Sequence, residues 1–360
     1  MNRQTSVYID ALRFTAAMVV FLGHISGQRF TGGMLYQFDP YMLDAVTVFF
    51  VLSGFVIGYV ADNREATATD YVIARASRIY SVALPAIALT LVLDWIGMSI
   101  RPDLYASWWG FHPEQTSLKV LTSIFFVNQV WMVDHVVGSM LPYWSLGYEV
   151  WYYIIFGIMA FGPKKYRMGL CTILLLFVGP PIATLFPIWL AGLFAYKVAA
   201  RRPVSAPTAA VMFAGSILGL VGADIWRRMH GVPLINSPLV HNPSIVNDYA
   251  VGLLIALNLV AVGSLKLPPA STATNQLIKV VRWCAGATFS IYLFHLPIAQ
   301  FLTTITPWPP SAWQTRVLMF GGVLLAMFAL AEVTERRKGD WRRFFWRLTR
   351  LSPALAREGG

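Results

Sequence analysis

Apolar runs recur along the chain at roughly 8–27, 42–61, 79–99, 144–162, 169–186, 187–200, 207–224, 249–265, 285–304 and 316–334. Most approach the ~20 residues a helix needs to cross a bilayer. The pattern predicts an all-α, polytopic integral membrane protein with about ten transmembrane helices, although 187–200 is short for a span. A further amphipathic stretch at 118–133 is ambiguous by pattern alone. Charge resolves it. With the N-terminus inside and 118–133 not crossing, the inner segments collect most of the 28 Lys and Arg, and the outer ones hold Arg29, Arg101, Lys119, Arg227, Arg228 and Arg316. That asymmetry follows the positive-inside rule and predicts that both termini are cytoplasmic. An eleventh span would move Lys164, Lys165, Arg167, Arg201 and Arg202 outside, so 118–133 reads as a re-entrant or interfacial piece.

Composition agrees: 57% of residues are hydrophobic and 12% charged, against about 25% charged in a soluble domain. The domain reading is a transmembrane unit over 1–335 and a basic juxtamembrane tail over 336–360. The net charge of +11 would suggest nucleic acid in a soluble chain. Here the basic residues alternate with Trp and Phe in the tail, which fits an anionic lipid surface better. Cys171 and Cys284 lie far apart, and the six histidines lack metal-ligand spacing. Neither a disulfide framework nor a metal site is expected.

The polar exceptions inside the apolar runs carry the chemistry, because an ionisable group within a span is expensive to hold there. The first run contains Asp10, Arg13 and His24. Arg13 and His24 are eleven residues apart, so on a helix they share one face, about 16 Å apart along the axis. Arg suits phosphate, and His is the usual general base near neutral pH. The bland alternative is a signal anchor in which Arg13 snorkels to the headgroups and Asp10 is its helix neighbour. It leaves His24 unexplained.

Glu149, in Trp144-Ser-Leu-Gly-Tyr-Glu149, enters the fourth span at a depth similar to His24. It is a candidate carboxylate to orient that imidazole, or a structural Glu bonded to Tyr or Ser. Arg75 and Arg78, three residues apart at the inner mouth of the third span, form a candidate phosphate grip or serve as positive-inside anchors. His295 lies mid-span, facing a pathway or bonding Tyr292. Ser53-Gly54 reads as a small-residue patch for close helix packing, and the GxSxG elbow of serine hydrolases is absent. A phosphate grip inside and a base nearer the outside match the two ends of an acyl-coenzyme A. The other class open to the same residues is a proton-coupled transporter of a small organic anion, although no inverted repeat is visible.

In order along the chain stand Asp10-Ala-Leu-Arg13 with His24, Phe49-Phe-Val-Leu-Ser-Gly-Phe55, Arg75-Ala-Ser-Arg78, Trp144-Ser-Leu-Gly-Tyr-Glu149, and Ser290-Ile-Tyr-Leu-Phe-His-Leu-Pro297. This series resembles the acyltransferase-3 family of integral membrane O-acyltransferases, from residue 8 to about 334. The resemblance implies an enzyme of the bacterial inner membrane. It would move an acyl group, most often acetyl, from cytoplasmic acyl-coenzyme A to a hydroxyl of a glycan, exopolysaccharide or lipid-linked sugar precursor. It implies His24 as the essential histidine, with Arg13 and Glu149 completing the catalytic group. Arg75 and Arg78 would be the donor-binding arginines, and Asp10, Ser145, Tyr292 and His295 further pocket residues. Acyl-coenzyme A would be a donor substrate, with no cofactor permanently bound. No appended esterase-like domain is expected, which favours a stand-alone transferase. Acylation of an antibiotic or a small metabolite stays open. The outer loops 28–42, 101–119 and 227–248 are expected to meet the acceptor, with Trp108, Trp109 and Phe111 stacking on sugar rings or anchoring at the interface.

Overall fold

The computed structural model describes residues 1–107, 111–235, 237, 240, 243–265 and 272–355; among these the chain is helical, with no strand. The helices that matter here are α1 (Arg3–Ile25), α2 (Met42–Asn63), α3 (Ala68–Ile100), α4 (Thr116–Ile124), α5 (Trp144–Phe161), α6 (Arg167–Val178) and α7 (Pro180–Arg201). They continue with α8 (Ala206–His230), α9 (Ile245–Ser264), α10 (Thr272–Ala285), α11 (Thr288–Ile305), α12 (Trp313–Val317), α13 (Val323–Val333) and α14 (Lys338–Leu355). A π turn, Leu318–Gly322, joins α12 to α13. Eight helical stretches among the described residues are long and apolar enough to cross a membrane. The other two expected spans are α5, whose apolar run is diluted by Glu149 and several aromatics, and α6, at 12 residues too short to cross alone.

Two boundaries differ from the sequence reading. The break expected at 186/187 falls at Gly179, which sits at φ 80° and is followed by Pro180 at the first position of α7, where a missing N–H costs nothing. Trp131 secures that break, since its backbone N–H and indole Nε1–H donate to the Val178 and Leu176 carbonyls at 3.0 and 3.1 Å. Pro187, by contrast, lies inside α7. The third span also starts earlier. The Thr67 hydroxyl caps α3 by accepting from Asp70 N–H, and its 33 residues extend about 50 Å.

The 116–143 segment runs beside α3 and turns back on itself. At its tip the Ile124 carbonyl accepts from Tyr80 Oη at 3.1 Å and the Phe126 carbonyl from Trp151 Nε1 at 2.9 Å. On its way back Ser139 donates through N–H and Oγ to Asp94, at 2.7 and 2.6 Å. Tyr80 and Asp94 are fourteen residues apart on α3, so the segment covers about 21 Å of depth.

Helices α2 and α7 pack backbone to backbone. A Cβ on Gly54 would run into the Trp189 carbonyl oxygen, and one on Gly192 into that of Val51. The small-residue patch at Ser53-Gly54 is therefore a packing device, as its composition predicts. Helices α1, α2, α3, α5 and α11 enclose the polar centre. Arg3 on α1 donates to Asn275 on α10 at 2.8 Å, and the Phe345 ring of α14 lies 6.1 Å from that of Tyr80. The start of α1, α10 and α14 thus share one end of the bundle, and His24 lies toward the other.

Candidate active site

Two cavities occupy the polar centre. The first, about 560 Å³, is lined by Arg13, Ser53, Arg78, Ser145, Glu149 and Tyr292, with Phe49, Phe50 and Phe289 among its apolar walls. The second, about 1290 Å³, is lined by His24, Asp39, Asp134, Trp144, Pro142 and Tyr292. Val46 and Tyr292 belong to both. The two cavities thus lie back to back along α1, with Arg13 in one and His24 in the other, as their shared helical face requires.

In the first cavity Arg13 is 17% exposed and lies 4.0 Å from Asp10 one turn earlier. Arg78 is half-buried, and its guanidinium makes no hydrogen bond or ion pair among the described residues. Arg75 does not join it. Its guanidinium is bound to Glu65 at 2.6 Å and stands over the Tyr71 and Tyr153 rings, at 5.4 and 5.9 Å. It lines a separate apolar groove between α3 and α5. Burial pushes the Glu65 carboxyl above the ordinary carboxylate range, with Arg75 pulling the other way. A three-residue spacing turns successive side chains by about 60°, enough to place these two arginines on either side of a helix-packing seam.

Glu149 does not orient His24. Its carboxylate accepts from Ser53 Oγ at 2.8 Å and from the Tyr153 hydroxyl. Ser53 is itself held by Trp189 Nε1 at 3.2 Å, so the carboxylate is tied into the α2–α5–α7 seam. The partner of His24 is His295, whose Nε2 lies 2.9 Å from His24 Nδ1. The rings are 5.0 Å apart and 29° from parallel. His295 is fully buried and bonds the Ile291 carbonyl through Nδ1 at 2.8 Å, rather than the Tyr292 hydroxyl. Tyr292 instead shares a hydrogen bond with Ser145 Oγ at 2.8 Å and packs edge-on to Phe49.

Sequence reading missed several contributors. The 116–143 segment supplies Asp134, Val136, Leu141 and Pro142 to the second cavity, beside Asp39 and Pro40 of the 28–42 loop and Pro243 of the 227–248 loop. The described residues of the 101–119 loop supply none of its lining. Phe111 is buried 4.9 Å from the Tyr105 ring and so is not free to stack on a sugar; Trp108 and Trp109 lie outside the described residues. Glu335 was also missed. Ala287 cannot cap α11, and Glu335 from beyond α13 accepts from Phe289 and Ser290 N–H, both at 3.0 Å. A lone Glu just past an apolar run was the only signal available.

The acyltransferase-3 family model, an acyltransferase domain, matches residues 6–332. The chain belongs to that family. This acyltransferase is 24% identical over 322 residues to the exopolysaccharide production protein ExoZ of Rhizobium meliloti (strain 1021), covering 83% of this chain and 90% of the relative. It is 23% identical to the peptidoglycan O-acetyltransferase OatA of Listeria monocytogenes, covering 92% of this chain but 56% of that protein. Acyltransferase MdmB of Streptomyces mycarofaciens is 29% identical over 169 residues, covering 44% of this chain and 39% of the relative. No solved structure matches. Family membership decides between the two classes the polar residues left open, for transferase over transporter.

Proposed function

We propose that this acyltransferase moves an acyl group, acetyl in the simplest case, from acyl-coenzyme A to a hydroxyl of a glycan or lipid-linked sugar precursor. The observation that carries the reading is the pair of back-to-back cavities, one with two arginines and one with the histidine pair, separated by Tyr292 and Val46. The names of two relatives, an exopolysaccharide production protein and a peptidoglycan O-acetyltransferase, support a glycan acceptor. The positive-inside bias supports a cytoplasmic face for the Arg13–Arg78 end and both termini, in the inner membrane of a bacterium. The basic, aromatic helix α14 would then rest on the anionic leaflet.

In this reading Arg13 and Arg78 hold the donor's phosphates by charge-assisted hydrogen bonds. The pantetheine arm spans about 15 Å at peptide-like extension, close to the axial offset between Arg13 and His24. The thioester then reaches the Tyr292 partition, and the acceptor enters the His24 cavity from the opposite side. There the carboxylates of Asp39 and Asp134 and the indole of Trp144 suit hydroxyls and the apolar face of a sugar. His24 takes the proton of the attacking hydroxyl. The new acyl–oxygen bond forms as the carbon–sulfur bond breaks, and the departing thiolate takes that proton back. Glu149 shapes the donor cavity through Ser53 and Tyr153.

The test is release of coenzyme A from acetyl-coenzyme A by purified enzyme in lipid nanodiscs. His24→Ala is expected to bind coenzyme A as the parent does while turnover falls about 10²- to 10⁴-fold, the usual worth of a general base. Folded parent enzyme that releases no coenzyme A from short or long acyl donors would refute the proposal.

A further inference from the structure

The histidine pair has only one hydrogen-bond arrangement when both rings are neutral. A carbonyl oxygen only accepts, so the 2.8 Å contact to Ile291 places a proton on His295 Nδ1. His295 Nε2 then carries a lone pair, and the 2.9 Å contact requires His24 Nδ1 to be the donor. That leaves His24 Nε2 unprotonated, while the Val20 carbonyl one turn earlier on α1 is a second acceptor beside the same ring. Neither ring makes an ion pair among the described residues that would favour the charged form. Phe21, one turn before His24 on α1, meets the His295 ring edge-on at 6.1 Å, which fixes the plane of the buried ring.

We propose that His295 is a positioning residue of the transfer reaction: it sets the tautomer and plane of His24, so that Nε2 of His24 is the atom that takes the acceptor's proton. The proposal rests on His24 being the base. As Nε2 takes the hydroxyl proton, His24 becomes an imidazolium whose Nδ1–H still points at the His295 lone pair. The Ile291 carbonyl polarises that acceptor from behind, so the chain of hydrogen bonds strengthens as the charge forms. The proton then returns from Nε2 to the coenzyme A thiolate, and the relay is restored without any proton leaving His295. The role given to a carboxylate in many histidine bases is here filled by a neutral imidazole backed by a helix carbonyl. Such a partner orients the base without adding a buried negative charge beside a substrate that already carries phosphates.

The experiment compares His295→Gln with His295→Asn in nanodiscs, measuring kcat and KM for coenzyme A release from acetyl-coenzyme A and the Kd for coenzyme A. Gln Oε1 reaches the place of the imidazole Nε2 and accepts from His24, whereas Asn is equally polar but too short. Orienting partners of this kind are worth about 10- to 100-fold. The Asn variant is therefore expected to lose that much in kcat with Kd unchanged, and the Gln variant to recover most of it. Equal kcat in the two variants, or a loss confined to KM and Kd, would overturn the assignment. A second measurement needs no substitution at His295. Solid-state ¹⁵N NMR of histidine-labelled enzyme, assigned with His24→Ala, is expected to show His24 protonated at Nδ1; protonation at Nε2 alone would overturn it. If His24→Ala keeps full turnover, the base itself is wrong. If His24→Ala is inactive while both His295 variants match the parent, only the positioning role falls.

Discussion

Arg75 and Arg78 look equivalent along the chain, but the structure gives them different work, and their substitution separates the two roles. Arg78 lines the first cavity and makes no hydrogen bond or ion pair among the described residues. Arg75 lies outside it, 13% exposed and paired with a Glu65 that is 5% exposed. Hydrogen bonds to a charged group contribute about 1.5–3 kcal/mol, so Arg78→Gln should weaken coenzyme A binding about 10- to 150-fold. Arg75→Gln alone would strand a buried carboxylate, at about 3–5 kcal/mol of stability. The informative comparison is therefore the double variant Glu65→Gln/Arg75→Gln, which removes the pair together. Its Kd should stay within about threefold of the parent, since no hydrogen bond to the phosphates is lost. The assay is equilibrium binding of coenzyme A to enzyme in nanodiscs, at two salt concentrations because exposed charge is screened. Equal losses in Arg78→Gln and in the double variant would mean that the arginines act as one site across the seam, and would refute the division drawn from the cavities.

Two further substitutions probe the frame. Glu335→Ala leaves the Phe289 and Ser290 N–H groups without their acceptor, costing about 1–3 kcal/mol each, whereas Glu335→Gln keeps an acceptor oxygen. The melting temperature in detergent should fall in the order parent, Gln, Ala, and coincident curves would show that the cap contributes nothing. Gly192→Leu should disrupt the α2–α7 contact, because any Cβ there meets the Val51 carbonyl, and overpacking typically costs about 1–3 kcal/mol. Monodisperse protein with parental melting behaviour would refute that reading of the seam.

What the chain reveals on inspection is what local physics determines. The shared face of Arg13 and His24 needs only the helical period. The packing role of Ser53-Gly54 follows from residue size. What stays hidden depends on partners far away in sequence. Glu149 and His24 have similar depth, but depth does not fix azimuth. The Glu149 carboxylate turns toward Ser53 and Tyr153, while His24 meets a residue 271 positions later. The early start of α3 was masked because Asp70, Arg75 and Arg78 interrupt its hydropathy while leaving its backbone helical. The break at Gly179 was legible, since Gly-Pro-Pro is a stop followed by a start signal, although the apolar runs divide at 186/187 instead.

The partition between the two cavities has a consequence for the membrane as a barrier. A carrier must let its cargo through, and every opening risks admitting protons and ions with it. In the proposed reaction neither donor nor acceptor has to travel: coenzyme A stays with the arginines and the sugar with His24, while Tyr292, hydrogen-bonded to Ser145, stands between them. Only a few atoms of acyl carbon and oxygen change sides, and they do so as part of a covalent bond. On this proposal, chemical work done on one face of the bilayer would be delivered to the other with no substrate passing through.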